Sequence, residues 1–378
     1  MRYLFFLGRE EDIALAELRA VLFRLGKKHT LMKYGRHTLV EADDLPTDRL
    51  MQILGGIVKI ASEVTEEGTP EETIIATLLN HPRETKISFG VTGEGIPSRL
   101  AITIKKTVAA AGKSVRAVDI KNSASILHNH LLLSGTDFTI FQGKVFRTVA
   151  LQPFEAFGER DFGRPESDAK SGMLPPKLAR QMINLAGTTE ESTFLDPFCG
   201  SGTTLVEALD LGIKRVFGSD ISDKAVHDSQ VNTAWITEKK HLDPQPVCTV
   251  FQADARAIVD HLGAETIDAI ATEPFLGEPL RGHETEKDLQ KQAQELRMLY
   301  LESLRTMGKV LLPHGKICIV FPEFIHRKGV IRSLTDTEIT KTGFSLLELL
   351  PGKTSLLYHR RDQHVGRRLY VLQKKNSA

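Results

Sequence analysis

The stretch Phe194-Leu195-Asp196-Pro197-Phe198-Cys199-Gly200-Ser201-Gly202-Thr203-Thr204 decides how this chain is read. An apolar strand end runs into an acid, then a glycine turn, then the helical pattern Leu205-Val206-Glu207-Ala208-Leu209. Gly200 and Gly202 let the backbone turn sharply and approach a ligand closely. Free N–H groups at the helix start can face a carboxylate. Val216-Phe217-Gly218-Ser219-Asp220-Ile221 then reads as a second strand ending in an acid. It lies about twenty residues on, where a nucleotide-type pocket carries its ribose acceptor. A G-x-x-x-x-G-K-[ST] loop is absent, which argues against an NTPase.

From 193 onward strands and helices alternate, with strands expected at 193–196, 215–219, 247–252, 267–272 and 315–321. Leu289, Leu296, Leu299, Leu304 and Met307 mark one side of a long helix after the fourth strand. Apolar runs at 344–350 and 368–373 suggest a final antiparallel hairpin at the edge of a parallel sheet. Upstream, Pro175-Pro176-Lys177-Leu178-Ala179-Arg180 opens a helix. Proline is tolerated there because its missing N–H would be unpaired. Leu178, Met182, Ile183 and Leu185 form its buried side. Residues 153–168, rich in Gly, Pro and charge, read as an exposed linker.

The first 66 residues follow the order β-α-β-β-α-β, which is ferredoxin-like. Leu18, Val21, Leu22 and Leu25 stripe the first helix, and Gly26 ends it. Residues 67–152 read as a second α+β block, with a helix over 98–111 and a hairpin over 138–149 turning at Gln142-Gly143-Lys144. Lys105, Lys106, Lys113, Arg116 and Lys121 lie on or beside a helix and strand of this block. They would serve phosphate binding or an ordinary solvated face equally well. His128 and His130 sit in a strand-like apolar run without ligand-spaced partners.

Composition sets the bounds. At 378 residues, two or three domains fit, and 41% hydrophobic and 26% charged content is ordinary for a globular chain. The net charge of +1 gives no global basic field, so a nucleic-acid partner needs a local patch. Cys199, Cys248 and Cys318 lack C-x-x-C spacing and suggest neither disulfides nor a zinc site. The apolar start Met1 to Leu7 is too short for a signal peptide and no run reaches membrane-helix length, so a cytoplasmic location is expected.

The Asp196 and Asp220 stretches resemble motifs I and II of S-adenosylmethionine-dependent methyltransferases. They resemble most those that methylate exocyclic amino groups of bases, whose motif I reads D-P-F-x-G-S-G-T. Residues 67–152 resemble a THUMP domain, an RNA-binding module. Nearly end to end, the chain is similar to the THUMP-containing tRNA guanosine-N2-methyltransferases that act at position ten of tRNA. This resemblance implies a Rossmann-like methyltransferase domain over 169–378, preceded by ferredoxin-like (1–66) and THUMP-like (67–152) α+β domains. It implies S-adenosylmethionine as cofactor, tRNA as partner with room for a small activating subunit, and neither metal nor membrane.

It also assigns roles. Asp196, Phe198, Gly200, Gly202 and Thr203 would lie against the methionine part of the cofactor, and the helix that Pro176 opens would cover that end. Asp220 would accept the ribose hydroxyls, Ile221 would touch the adenine, and Asp254 with Ala255 would meet its edge. Asp254 equally suits a helix N-cap. In the fourth motif the family carries [DN]-P-P-[YF], and this chain has Thr272-Glu273-Pro274-Phe275. Thr272 stands where the acid is expected and Glu273 replaces the first proline. Either Glu273 supplies the acceptor from a shifted register, or the Thr272 hydroxyl does, or the chain is a silent tRNA- and cofactor-binding protein. A DNA amino-methyltransferase shares these motifs but needs a target-recognition domain that the first 150 residues do not resemble. Arg360, Arg361, Arg367 and Arg368, with Tyr358 and Tyr370, would grip RNA or form a solvated hairpin.

Overall fold

The computed structural model describes all residues except 67, 83–85, 168–172, 243–244, 281, 328, 361–362 and 376–378. The chain divides into two compact units. The first comprises Met1–Glu11, Leu25–Gln52 and Ile57–Pro153, and the second Asp12–Arg24, Ile53–Gly56 and Phe154–Ala378.

Along the first 66 residues run β1 (Arg2–Leu7), α1 (Glu11–Arg24), β2 (His29–Tyr34), β3 (His37–Ala42), α2 (Thr47–Ile53) and β4 (Ile57–Glu63). This is the β-α-β-β-α-β order expected from the apolar periods. Then follow α3 (Pro70–Leu79), β5 (Ile87–Gly93), α4 (Leu100–Ala110), β6 (Val115–Val118), α5 (Ser123–His128), α6 (Leu131–Ser134), β7 (Asp137–Phe141) and β8 (Lys144–Leu151). The strands on both sides of residue 66 join one eight-stranded sheet, ordered β2-β3-β1-β4-β8-β7-β5-β6. It curls strongly: Tyr34 on β2 and Phe141 on β7 meet edge to face at 5.4 Å, although four strands lie between them. The β7–β8 loop has Gln142 at φ 49° and Gly143 at φ 72°, the positive pair a two-residue hairpin turn requires. His128 and His130 are not in a strand: His128 ends α5, and His130 takes a left-handed conformation before α6. Ile126 of α5 and Leu131 of α6 are buried from two separate short helices.

The second unit continues with α7 (Phe154–Phe162), α8 (Pro176–Leu185), β9 (Thr193–Asp196), α9 (Thr203–Asp210), β10 (Arg215–Asp220), α10 (Asp223–Lys239) and β11 (Val247–Gln252). Next come α11 (Val259–Leu262), β12 (Ile267–Thr272), α12 (Glu286–Val310), β13 (Leu311–His326), β14 (Gly329–Arg332), α13 (Asp336–Thr340), β15 (Phe344–Leu346), β16 (Ser355–Tyr358) and β17 (Val365–Lys374). The main sheet path is β11-β10-β9-β12-β13-β17-β15. β9 to β13 run parallel, while β17 is antiparallel to β13 and β15 and, off this path, to β16. The last two apolar runs pair antiparallel at the edge of the sheet, as expected. Within that pair β17 lies between β13 and β15, because Leu369 and Val371 enter one apolar layer and Tyr370 and Leu372 the other, so the strand needs cover on both faces.

Two apolar layers enclose this sheet. One joins α8 and α9 to the sheet through Met182, Ile183, Leu205 and Leu209, and also takes Ile13 and Ala16 of α1. The other seats α12 through Leu289, Leu296, Leu304 and Met307, with Leu299 partly buried beside them. The stretch expected to be an exposed linker is α7. Its Phe157 is buried, and the buried Arg160 lies over that ring at 4.6 Å and pairs with Glu207. A phenylalanine and an arginine three apart thus form an inward face that composition alone hides.

Candidate active site

The chain runs β9, β10, β11 to one side, then places β12 on the other side of β9. In open α/β sheets, ligands bind at such a switch point, beyond the carboxyl ends of the strands. Asp196 ends β9 and Thr272 ends β12, so both acidic motifs reach this crevice.

Asp196 is 2% exposed. Its Oδ1 accepts the Phe198 N–H at 3.0 Å and the Thr272 hydroxyl at 2.6 Å, and its Oδ2 accepts the Thr204 hydroxyl. Burial pushes its pKa up to about 6, against the pull of Thr204, Thr272 and the Phe198 amide. Asp196 therefore ties the turn, the first helical residues and the end of β12 together. Thr272 is fully buried, and its hydroxyl faces Asp196.

The turn itself has Gly200 at φ 52° and Gly202 at φ 83°. A Cβ on Gly200 would meet nothing within 4 Å, whereas one on Gly202 would lie 2.8 Å from Ser229 Oγ. Gly200 thus leaves open space where a ligand approaches, and Gly202 is needed for packing. The Gly200 N–H donates to Asp220 Oδ2 at 3.0 Å, and Ser222 N–H to Asp220 Oδ1 at 2.9 Å. Asp220 is half-buried, and each of its oxygens keeps acceptor capacity. Ile221 beside it is 67% exposed. Phe198 packs partly buried against the α12 layer. Ala255 is buried, and Asp254 folds its own turn, accepting from the Arg256 N–H at 2.8 Å and from the Arg256 guanidinium. That guanidinium holds the Asp254 carboxyl below its usual range.

One residue that sequence reasoning missed belongs here. Arg164 is 5% exposed, and its Nη1 donates to Thr203 Oγ1 at 2.6 Å, at the start of α9. Its Nε is buried without a hydrogen-bond partner. Burial lowers its pKa, with Asp161 and Glu207 opposing. No motif flags an arginine between α7 and α8; only the fold brings it to Thr203.

Beyond β12, Glu273 is the first residue past the strand. Its carboxylate is gripped by the Arg367 fork from β17: Nε donates to Oε2, and Nη2 to Oε1 at 3.2 Å. The two side chains are only 13% and 8% exposed. Arg367 also lies over the Tyr358 ring at 5.9 Å. Burial works against its charge, but Glu273 outweighs it and holds the Arg367 pKa above the ordinary value. Pro274 is buried, while the Phe275 ring is 52% exposed. The Tyr300 hydroxyl fixes the Phe275 carbonyl at 2.5 Å.

The remaining arginines are similarly engaged. Arg368 forks onto the buried Glu323 at 2.7 and 2.8 Å, and Arg360 donates to the Tyr358 hydroxyl at 3.2 Å. Arg361 lies outside the described residues. In the first unit, Lys105, Lys106 and Lys121 are exposed. Arg116 is exposed and donates to Asn129 Oδ1 at 2.7 Å, and Lys113 donates to the His81 carbonyl. Among the described residues, no group of three or more His, Cys, Asp or Glu could hold a metal, and no helix is long and apolar enough to cross a membrane.

Residues 165–343 match the family model of UPF0020, the RMKL-like methyltransferase domain. This part of the chain is similar to a methyltransferase domain. Two archaeal relatives bear on it, both called tRNA (guanine(10)-N2)-dimethyltransferase. That of Pyrococcus abyssi is 34% identical over 163 residues, covering 43% of this chain and 41% of the relative. That of Methanothermobacter thermautotrophicus is 34% identical over 164 residues, covering 42% of each. The matched part is thus about two fifths of these relatives' length. The crystal structure of TrmN from Thermus thermophilus covers 99% of this chain and 100% of its own, with TM-score 0.51 and 17% identity, a likeness of fold.

Proposed function

We propose that the chain transfers a methyl group from S-adenosylmethionine to the exocyclic N2 of a guanosine in tRNA. The observation that carries this reading is the Asp196–Thr272 bond at the sheet's switch point, which ties the glycine turn to the strand end that Glu273 and the exposed Phe275 follow. The guanosine and the tRNA come from the names of the relatives.

The residues present fit the cofactor. Arg164, with its orphaned buried Nε at the uncapped start of α9, suits the methionine carboxylate. Gly200 leaves room for the ligand's approach beside Phe198, Gly202 and Thr203. Asp220 has free lone pairs for the ribose hydroxyls, and exposed Ile221 offers an apolar surface to the adenine, with Asp254 and Ala255 at its rim. When bound, S-adenosylmethionine supplies a methyl group on a sulfonium and leaves as the thioether. Phe275 and Pro274 would hold the base so that its nitrogen faces that carbon, where positioning alone contributes roughly 7–11 kcal/mol. Glu273 accepts a hydrogen bond from the amine, aims its lone pair, and is placed to take the proton shed as the N–C bond forms. Thr272 supports Asp196 rather than the base.

In this reading residues 67–152 hold the tRNA through Lys105, Lys106 and Arg116, and Arg360 lies near the domain's edge. Residues 1–66 are a ferredoxin-like support, 153–168 the connection and 169–378 the catalytic part, acting in the cytoplasm. The test is incubation of the chain with labelled S-adenosylmethionine and unmodified tRNA, followed by nucleoside analysis. N2-methylguanosine is the expected product. Intact cofactor binding without transfer would overturn the stand-alone enzyme, in favour of a silent binder or a need for a small activating subunit.

A further inference from the structure

The Glu273–Arg367 pair, at the residue after the end of β12, has more order than a general acceptor needs. Arg367 comes from β17, 94 residues later in the chain, and takes one hydrogen bond on each Glu273 oxygen. An ionised carboxylate offers about four lone-pair sites, so one remains on each oxygen. Glu273 therefore presents two parallel acceptors and no donor, held in one orientation by a permanent cation that is itself backed by Tyr358. Thr272, which could have added a donor, is turned inward to Asp196.

Only one of the common bases shows a matching edge. Guanine places N1–H beside N2–H2, two adjacent donors. Adenine sets its N6 amine beside the N1 acceptor, and cytosine sets its N4 amine beside the N3 acceptor. Against two fixed acceptors, those bases leave one lone pair facing another, and the buried anion loses a partner. We propose that Glu273 reads the guanine edge through N1–H and N2–H2 together, with Arg367 as the positioning residue that fixes the carboxylate for this contact. The inference rests on the tRNA-guanosine reading above and extends it to how the base is chosen.

The test uses the full chain and a tRNA transcript whose target guanosine, mapped by mass analysis of nuclease fragments, is replaced by 2-aminopurine. That base keeps the 2-amine but has an acceptor at N1. The wild type should prefer guanosine by about 10- to 100-fold in kcat/KM, the discrimination a good bidentate contact supplies. Glu273→Gln presents one donor and one acceptor, and should shift the ratio towards 2-aminopurine by at least about tenfold. Arg367→Gln should narrow the ratio in the same direction. S-adenosylmethionine affinity by calorimetry and the unfolding midpoint show that each variant is folded. Equal use of both bases by the wild type, or a ratio unmoved in a folded Glu273→Gln variant, overturns the inference alone. Absence of any N2-methylguanosine overturns the parent reading and the inference with it.

Discussion

Asp196 and Glu273 lie at the ends of neighbouring parallel strands, yet the fold treats the two acids in opposite ways. Asp196 has three donors within the protein and 2% exposure, so its bonding is spent on the scaffold. Glu273 is gripped by the Arg367 fork, one hydrogen bond on each oxygen, and remains 13% exposed. One acid is tied into the scaffold, and the other is the one proposed above to meet the base. The difference follows from what surrounds each: hydroxyls and an amide converge on Asp196, while a single rigid fork holds Glu273.

Asp196→Ala should break the comparison most severely. It leaves two hydroxyls and an amide without their acceptor, at roughly 1–3 kcal/mol for each group that stays buried and unpaired. Urea denaturation should show a loss of that order, and calorimetry should show loss of cofactor binding. Stability near that of the wild type would place Asp196 with Glu273, as a presented group. Arg164→Gln should come next, weakening S-adenosylmethionine binding by about 10- to 100-fold, as removal of a charge-assisted contact does. A decarboxylated analogue should bind both proteins alike, and equal losses for both ligands would remove Arg164 from the carboxylate site. Thr272→Val sharpens the contrast with a smaller change. It should cost about 1 kcal/mol in urea and leave base preference intact. A changed preference would mean that Thr272 touches the base.

A further, pH-dependent effect concerns a third acid, Glu17 on α1. It is fully buried and accepts the Gly55 and Gly56 N–H groups at 2.8 Å and Asn184 Nδ2 at 2.7 Å. Burial raises its pKa from 4.5 to about 7, opposed by the bonds to Gly55, Asn184 and Gly56. Between these pH values the folded chain keeps a proton that the unfolded chain releases, so stability falls as pH rises through the window. Glu17→Gln should flatten this slope in unfolding midpoints taken from pH 5 to about 7. An unchanged slope would show that Glu17 does not titrate there.

Much of the fold was legible because it is written in local periods. The β-α-β-β-α-β order of the first 66 residues, the five parallel strands and the α12 stripe all follow from spacing within one element. The glycine turn was legible too, since Gly200 and Gly202 answer a local steric demand. Composition misled at α7, where glycine and charge concealed the inward Phe157 and Arg160. At β17 the sequence showed that the run pairs but not that it enters between β13 and β15.

The sequence by itself determined the element types, the glycine turn and the acids at or just past the ends of β9, β10 and β12, because each depends on residues a few positions apart. Only the tertiary structure decided what those acids do. The Thr272–Asp196 bond, the Arg164–Thr203 contact and the Arg367 fork on Glu273 join residues 76, 39 and 94 positions apart. Such contacts depend on strand order and on how the helices cover the sheet, and chain spacing carries no record of either.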